Sequence, residues 1–155
     1  MNTPRRCDSS INHPDREMIA LGIRQPWVEL ILRGVKTIEV RSQATRRRGT
    51  IYLYASQQIS PLAGTHSVER HDLDLSSLPR GLLIGTAEIL DCRPCTPSDS
   101  AAACVPPSFL QDQYAWMLGN PQRLASPLPV RYLPYGVWFY PFQRKGEKAN
   151  RKRTS

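Results

Sequence analysis

Nowhere do these 155 residues approach the ~20 consecutive apolar positions that a membrane-spanning helix needs. The N-terminus also lacks the unbroken apolar stretch of a secretory signal. A cytoplasmic protein without a membrane partner is therefore expected. Histidine is scarce: His13 lies near the N-terminus, and His66 and His71 are five apart in a polar stretch, which does not bring two rings onto one helical face. All three read as surface residues. No glycine-rich phosphate loop, no Gly-x-Ser-x-Gly elbow and no His-Glu-x-x-His occurs, which excludes the chemistries those motifs carry. Cys92-Arg93-Pro94-Cys95 has the spacing of half a zinc site or a redox pair, but neither a second pair nor ordered histidines complete it. With Cys7 and Cys104 these read as reduced thiols, and neither metal nor cofactor is expected.

Acidic residues are also in the minority, 13 against 21 lysines and arginines, for a net charge of +8. The imbalance is local. Much of it sits in Arg144-Lys145-Gly146-Glu147-Lys148 and Arg151-Lys152-Arg153, and a second share in Arg24 to Arg48, where seven basic residues face two acidic ones. A polyanion would feel that segment at about a Debye length, ~8–10 Å. One basic surface is expected rather than a uniformly basic protein.

The length suits one domain with its own core, and 40% apolar with 22% charged residues is a globular balance. Residues 1–17 have no periodicity and read as a flexible leader, 18–142 as the domain, and 143–155 as a disordered basic tail. Within the domain, Ile19 to Ile23 reads as a strand, Pro26 to Arg33 as a short amphipathic helix, and Lys36 to Ser42 as a second strand. Thr50 to Ala55 alternates, with Ile51, Leu53 and Ala55 on one side and Tyr52 and Tyr54 on the other. Val68 to Leu75 is compatible with a short helix. Gly81 to Asp91 is strand-like, and its row Leu83, Gly85, Ala87, Ile89 would let another backbone approach closely. Prolines make 93–107 an irregular loop; Tyr114 to Leu118 is a compact apolar element, and Leu124 to Val130 and Tyr135 to Tyr140 are expected as closing strands.

The densest information lies in Arg24-Gln25-Pro26-Trp27 through Lys36-Thr37-Ile38-Glu39-Val40-Arg41. Pro26 suits a first helical turn and Gly34 the left-handed position just past a helix end. Beyond Gly34, alternation puts Ile38 and Val40 on one face and Thr37, Glu39 and Arg41 on the other. Glu39 and Arg41 then emerge roughly 6.5 Å apart, close enough to pair. The pair is either a structural ion pair on a rim or, with Lys36, part of a cleft in which the guanidinium fork meets a phosphate or base edge and the carboxylate orients it. Arg46-Arg47-Arg48 follows with no acidic neighbour, as a solvated charge run or as phosphate contacts. Trp27 is the leading candidate for a stacking ring, followed by Tyr52 or Tyr54.

The order of strand, Gln-Pro-Trp helix and Gly-x-Lys-x-x-Glu-x-Arg strand resembles the opening of the ASCH (activating signal cointegrator homology) family, which is similar to the PUA fold. Arg80-Gly81 with Leu82 to Cys92, Tyr114-Ala115-Trp116-Met117-Leu118 with Asn120-Pro121, Pro127-Leu128-Pro129-Val130 and Gly136-Val137-Trp138 follow in the family's order, so the resemblance runs from Met18 to Phe142. It implies an α+β fold, a small PUA-like mixed β-barrel of about five to six strands with two or three short helices at its side.

It also implies a ligand cleft between barrel and helix, lined by Arg24, Gln25, Pro26, Trp27, Lys36, Thr37, Glu39 and Arg41, which Arg46, Arg47, Arg48 and Tyr52 would extend. The expected partner is RNA, with DNA or a free nucleotide or nucleoside as alternatives and a monomer as the default. A small hydrolase is the competing expectation, because family members are amidohydrolases on acetylated cytidine or ribonucleases. In the amidohydrolase branch a threonine stands three positions after the lysine. Here Glu39 stands there, so Lys36 and Glu39 would have to act as a depressed amine and a base for water. An adaptor meeting proteins through the same cleft is the third alternative.

Overall fold

The computed structural model describes residues 12–144; the expected tail, apart from its first two residues, and the first eleven residues of the expected leader lie outside that range. Six strands form one mixed sheet: β1 (Ala20–Gln25), β2 (Ile38–Arg41), β3 (Gly49–Ile59), β4 (Leu82–Pro94), β5 (Tyr114–Leu128) and β6 (Trp138–Phe139). Their spatial order is β2-β5-β4-β3-β1-β6, with β1 and β3 parallel and the other neighbours antiparallel. Three short helices accompany them, α1 (Trp27–Leu32), α2 (His66–Glu69) and α3 (Ser100–Ala103). The α+β class is as expected, but the sheet is not closed into a barrel: β2 pairs only with β5, and β6 is a two-residue strand on the far edge.

Sequence dictates α1 closely. Gly34 has φ +75°, its N–H bonds to the Ile31 carbonyl at 3.0 Å, and the Val35 N–H bonds to the Leu30 carbonyl at 3.0 Å, a Schellman termination. At the other end the Gln25 side chain accepts from the Glu29 N–H at 3.0 Å and donates to the Pro79 carbonyl at 3.0 Å. A glutamine one residue before Pro26 thus satisfies an orphan helical donor. Trp27, Val28, Leu30 and Ile31 bury the inner face of α1 against Leu21, Ile23, Ile38, Leu53, Ala87 and Ile89. Behind the sheet, Met18, Ala20, Tyr52, Tyr54, Leu83 and Phe139 form a second apolar cluster. Both rows of β3 are therefore buried, as suits a strand flanked on both faces.

Differences from the expected elements have local causes. β5 is one strand where two elements, Tyr114 to Leu118 and Leu124 to Val130, were expected; Asn120 takes φ +47° and three register shifts between β4 and β5 absorb the irregularity. Those shifts also split the expected row in β4, sending Leu83 to the second cluster and Ala87 and Ile89 to the main core. In place of a helix over 68–75, α2 ends at Glu69, Asp72 turns left-handed, and Asp74 caps a separate turn at Leu75–Ser77 through the Ser76 N–H. On α1, the Glu29 carboxylate receives both arms of Arg123 at 2.9 Å and the Arg33 Nε at 2.7 Å. Burial pushes that acid up, and the two guanidiniums more than reverse it, so it stays ionised below its ordinary range.

Gly85 is the close approach that the small residues of β4 suggested. A Cβ there would meet the Gln122 carbonyl at 2.4 Å and Leu32 Cδ2 at 2.5 Å. Gly85→Ala is expected to cost about 1–3 kcal/mol in a urea melt through overpacking against backbone. Gly64→Ala, with nothing within 4 Å, serves as the control and is expected to leave the midpoint in place.

Candidate functional site

The two sheet edges that fail to pair approach each other beside the start of α1. Past Leu21, β1 has no strand partner on this side, because β6 pairs only with Ala20 and Leu21. The parity of β1 decides what its free edge offers. Ile19 and Gln25 turn their carbonyls to β3 and its extension, accepting from Tyr52 and Ser60. Gly22 turns the other way: its N–H bonds to the Val137 carbonyl at 2.9 Å and its carbonyl accepts from Arg41 Nη2 at 3.0 Å. By the same alternation the amide and carbonyl of Arg24 face the gap. A cleft of ≈ 520 Å³ occupies it, lined by Gly22, Ile23, Arg24 and Trp27 on one side, Glu39, Val40 and Arg41 on another, and by Tyr54, Ser56, Ser60, Pro134, Gly136 and Val137.

A line of charges runs from the core to this cleft. Lys36 Nζ donates to the Ala103 carbonyl at 2.6 Å, lies 4.7 Å from the centre of the Trp27 ring and stands 3.8 Å from Glu39 Oε1. Glu39 Oε2 accepts from Arg41 Nε at 3.1 Å and Nη2 at 2.7 Å. Lys36 is 2% exposed and Glu39 4%. Burial lowers the lysine pKa from its ordinary value, while the Glu39 carboxylate opposes that shift. The Arg41 side chain is 24% exposed. Its bonds to Glu39 and Gly22 use Nε and Nη2, which leaves the two N–H groups of Nη1 without a partner among the described residues.

Beyond Arg41 the seam is closed by aromatics. Trp116 on β5 stacks on Trp138 of β6 with centroids 5.8 Å apart at 12°, its indole N–H bonds to the Gln43 carbonyl at 3.0 Å, and Arg41 lies 5.8 Å from its ring. The Arg47 guanidinium covers Trp138 at 4.8 Å.

Of the residues singled out from sequence, Arg24, Trp27, Glu39 and Arg41 line the cleft together, with Lys36 sealed behind them. Gln25 is fully buried and caps α1; Pro26 supplies the carbonyl that accepts from Leu30. Thr37 lies outside the cleft, its main chain bonded to Ala102 and Leu118. Tyr52 is corrected outright: it is buried in the second cluster, and its hydroxyl meets His13 Nδ1 at 2.6 Å and the Asp15 N–H at 2.7 Å. Arg46, Arg47 and Arg48 are all exposed, and Arg48 bonds to the Thr45 and Arg47 carbonyls and pairs with Asp91 at 3.5 Å. Sequence reasoning did not place Ser56, Ser60 or Pro134 in the site, and it offered Gly136-Val137 only as part of a closing element; alternation along β3 did offer Tyr54.

A model of the ASCH domain matches residues 21–128. The chain belongs to the ASCH domain family. Among curated proteins this ASCH domain is 28% identical over 129 residues to activating signal cointegrator 1 of Homo sapiens and of Mus musculus, covering 76% of the chain and 21% of each relative. The chain thus spans about a fifth of the length of those relatives. Among solved structures it is similar to the ASCH protein of Zymomonas mobilis, with a TM-score of 0.56 at 15% identity over 90% of this chain and 96% of that one. A mutant form of that protein gives a TM-score of 0.55 at 14% identity, over 90% of this chain and 99% of that one. The fold is shared at that level. Among the described residues, no helix is long and apolar enough to cross a membrane.

The loop that anchors Lys36 depends on an acid of its own. Asp99 grips Arg93 through two bonds of 2.8 Å and accepts from the Thr96 N–H at 2.7 Å, which fixes the turn carrying the Ala102 and Ala103 carbonyls. The Arg93 fork lowers the Asp99 pKa from 3.8 to about 2. A depressed acid stabilises fully above its unfolded value and loses the contribution as pH falls through the folded one. The urea midpoint of wild type should therefore exceed that of Asp99→Asn at pH 6, with the gap closing between about pH 4 and pH 2.

Proposed function

We propose that this ASCH domain binds single-stranded RNA and seats one nucleotide in the cleft between β1, β2 and the wall of Pro134, Gly136 and Val137. The observation that carries this reading is Arg41: three of its donors are fixed by Glu39 and the Gly22 carbonyl, and the remaining two are unclaimed beside the exposed Arg24. A guanidinium held in one orientation offers a phosphate or base edge the two N–H groups of Nη1 without losing rotamer freedom on binding. The volume lies in the range of small-ligand sites. Arg24 contributes a main-chain donor and acceptor as well, a pairing that suits the edge of a planar base. A base enters such a gap only from an unpaired strand, because in a duplex it is stacked and its edge is occupied.

Burial of Lys36 weighs against the hydrolase alternative. Its ammonium is committed to Ala103, Glu39 and the Trp27 face, and Glu39 in turn holds Arg41. The three act as a positioning relay that ends at the cleft, with Arg41 as the member that meets the ligand.

Anisotropy titration with a fluorescent single-stranded RNA tests this. Arg41→Ala is expected to weaken binding at least about tenfold, the loss of a hydrogen bond to a charged group. Arg41→Lys should weaken it nearly as much, since an ammonium has three donors against five and cannot replace the two bonds to Glu39 and the one to Gly22 and still donate to a ligand. Arg24→Ala should flatten the dependence of log K on log salt by about 0.7, the share of one phosphate on a single strand. Equal affinity of wild type and Arg41→Ala would reject the reading; tighter binding of the matching DNA would move the partner from RNA to DNA.

A further inference from the structure

The connection between β5 and β6 carries features that the cleft does not use. Five large hydrophobic side chains are exposed among the described residues, and three of them, Leu133 (76%), Tyr135 (42%) and Val137 (49%), fall within five positions. Their frame is anchored at both ends. The Arg131 and Tyr132 N–H groups both bond to the Pro141 carbonyl at 3.0 Å, the Tyr135 hydroxyl accepts from the Tyr140 N–H at 3.2 Å, and Val137 is tied to Gly22. The Tyr135 ring also meets Phe139 edge-on, with centroids 6.4 Å apart.

Val137 belongs both to this patch and to the cleft wall, as the intervening Pro134 and Gly136 do to the wall, so the two surfaces are continuous. Cations border the patch: Arg131 lies 5.5 Å from the Tyr132 ring, and Arg47 covers Trp138, the residue after Val137. Acidic residues are absent from 129–143. An anchored apolar shelf with arginines around it suits a stacked base whose phosphates need neutralising, and its charge disfavours a basic partner.

We propose that Leu133, Tyr135 and Val137 form a second nucleotide subsite, on which the base next to the one in the cleft lies. This rests on the cleft reading and adds its footprint: the domain recognises a run of nucleotides rather than one. Tyr135 supplies the ring for stacking, Leu133 and Val137 the apolar floor, and the phosphate between the two nucleotides passes among Arg24, Arg47 and Arg131.

The test compares uridine 5′-monophosphate with the tetranucleotide UUUU on the whole protein at one salt concentration. Wild type is expected to bind UUUU at least about tenfold more tightly than the mononucleotide, the low end of what one stacked base contributes. Leu133→Ser and Tyr135→Ser, made separately because Tyr135 also bonds to Tyr140, should each remove most of that advantage while leaving mononucleotide affinity unchanged. Retained mononucleotide binding certifies an intact fold. UUUU abasic at the positions flanking one uridine should bind all three proteins alike.

An undiminished UUUU advantage in both variants, with Arg41→Ala still weakening both ligands, would overturn the second subsite and leave the cleft standing. Equal losses for both ligands would overturn it too, as the patch would then act through the cleft. Insensitivity of both ligands to Arg41→Ala would bring down the cleft reading and this one with it.

Discussion

One guanidinium stands where a strand would otherwise pair. β2 is first and β1 fifth in the sheet order, yet Arg41 of β2 reaches the Gly22 carbonyl of β1, an acceptor that β6 leaves free by pairing with only two residues. The position of Arg41 in turn depends on Glu39, and that of Glu39 on Lys36. Burying an ammonium and a carboxylate costs several kcal/mol per ion before their attraction is counted, and removing one partner of such a pair typically costs about 3–5 kcal/mol. The fold carries that liability at the point where the sheet opens, which is where an oriented cation is useful.

Leaving the sheet open has a second consequence. Free strand edges template unwanted pairing unless they are short, charged or covered. Here β2 and β6 are four and two residues long, Arg41 ends the first, and the Trp116–Trp138 stack with Arg47 bridges the remainder. Of these devices Arg41 also lines the cleft. The cleft is a property of how the sheet ends rather than an addition to its surface.

Much of this was legible in the sequence, because local signals dominated it. Pro26 and Gly34 bracket α1, alternation marks β2 and β3, and the Lys36, Glu39, Arg41 spacing places the three charges together. Tertiary context decided the rest. Two-residue periodicity gives Tyr52 and Tyr54 the same face but does not tell which of them reaches the gap; residues 13–15 cover the first, and the second lines the cleft. Tyr114 to Leu118 and Leu124 to Val130 read as separate elements because alternation does not show that bulges carry one strand through Asn120. Lys36 looked like a ligand contact until its depth was known, since alternation does not show which polar side chain is sealed by a helix. Gly136 and Val137 read from sequence as part of a closing element and become part of the site only because β6 returns beside β1.

The account turns on whether the gap between β1 and β2 is where a nucleotide sits. A ¹H–¹⁵N titration of the domain with uridine 5′-monophosphate addresses this directly. The amides of Gly22 and Arg24 and the indole N–H of Trp27 should shift together and saturate at one concentration. Shifts confined to other surfaces, such as the 95–113 loop, with those three signals unmoved, would contradict it.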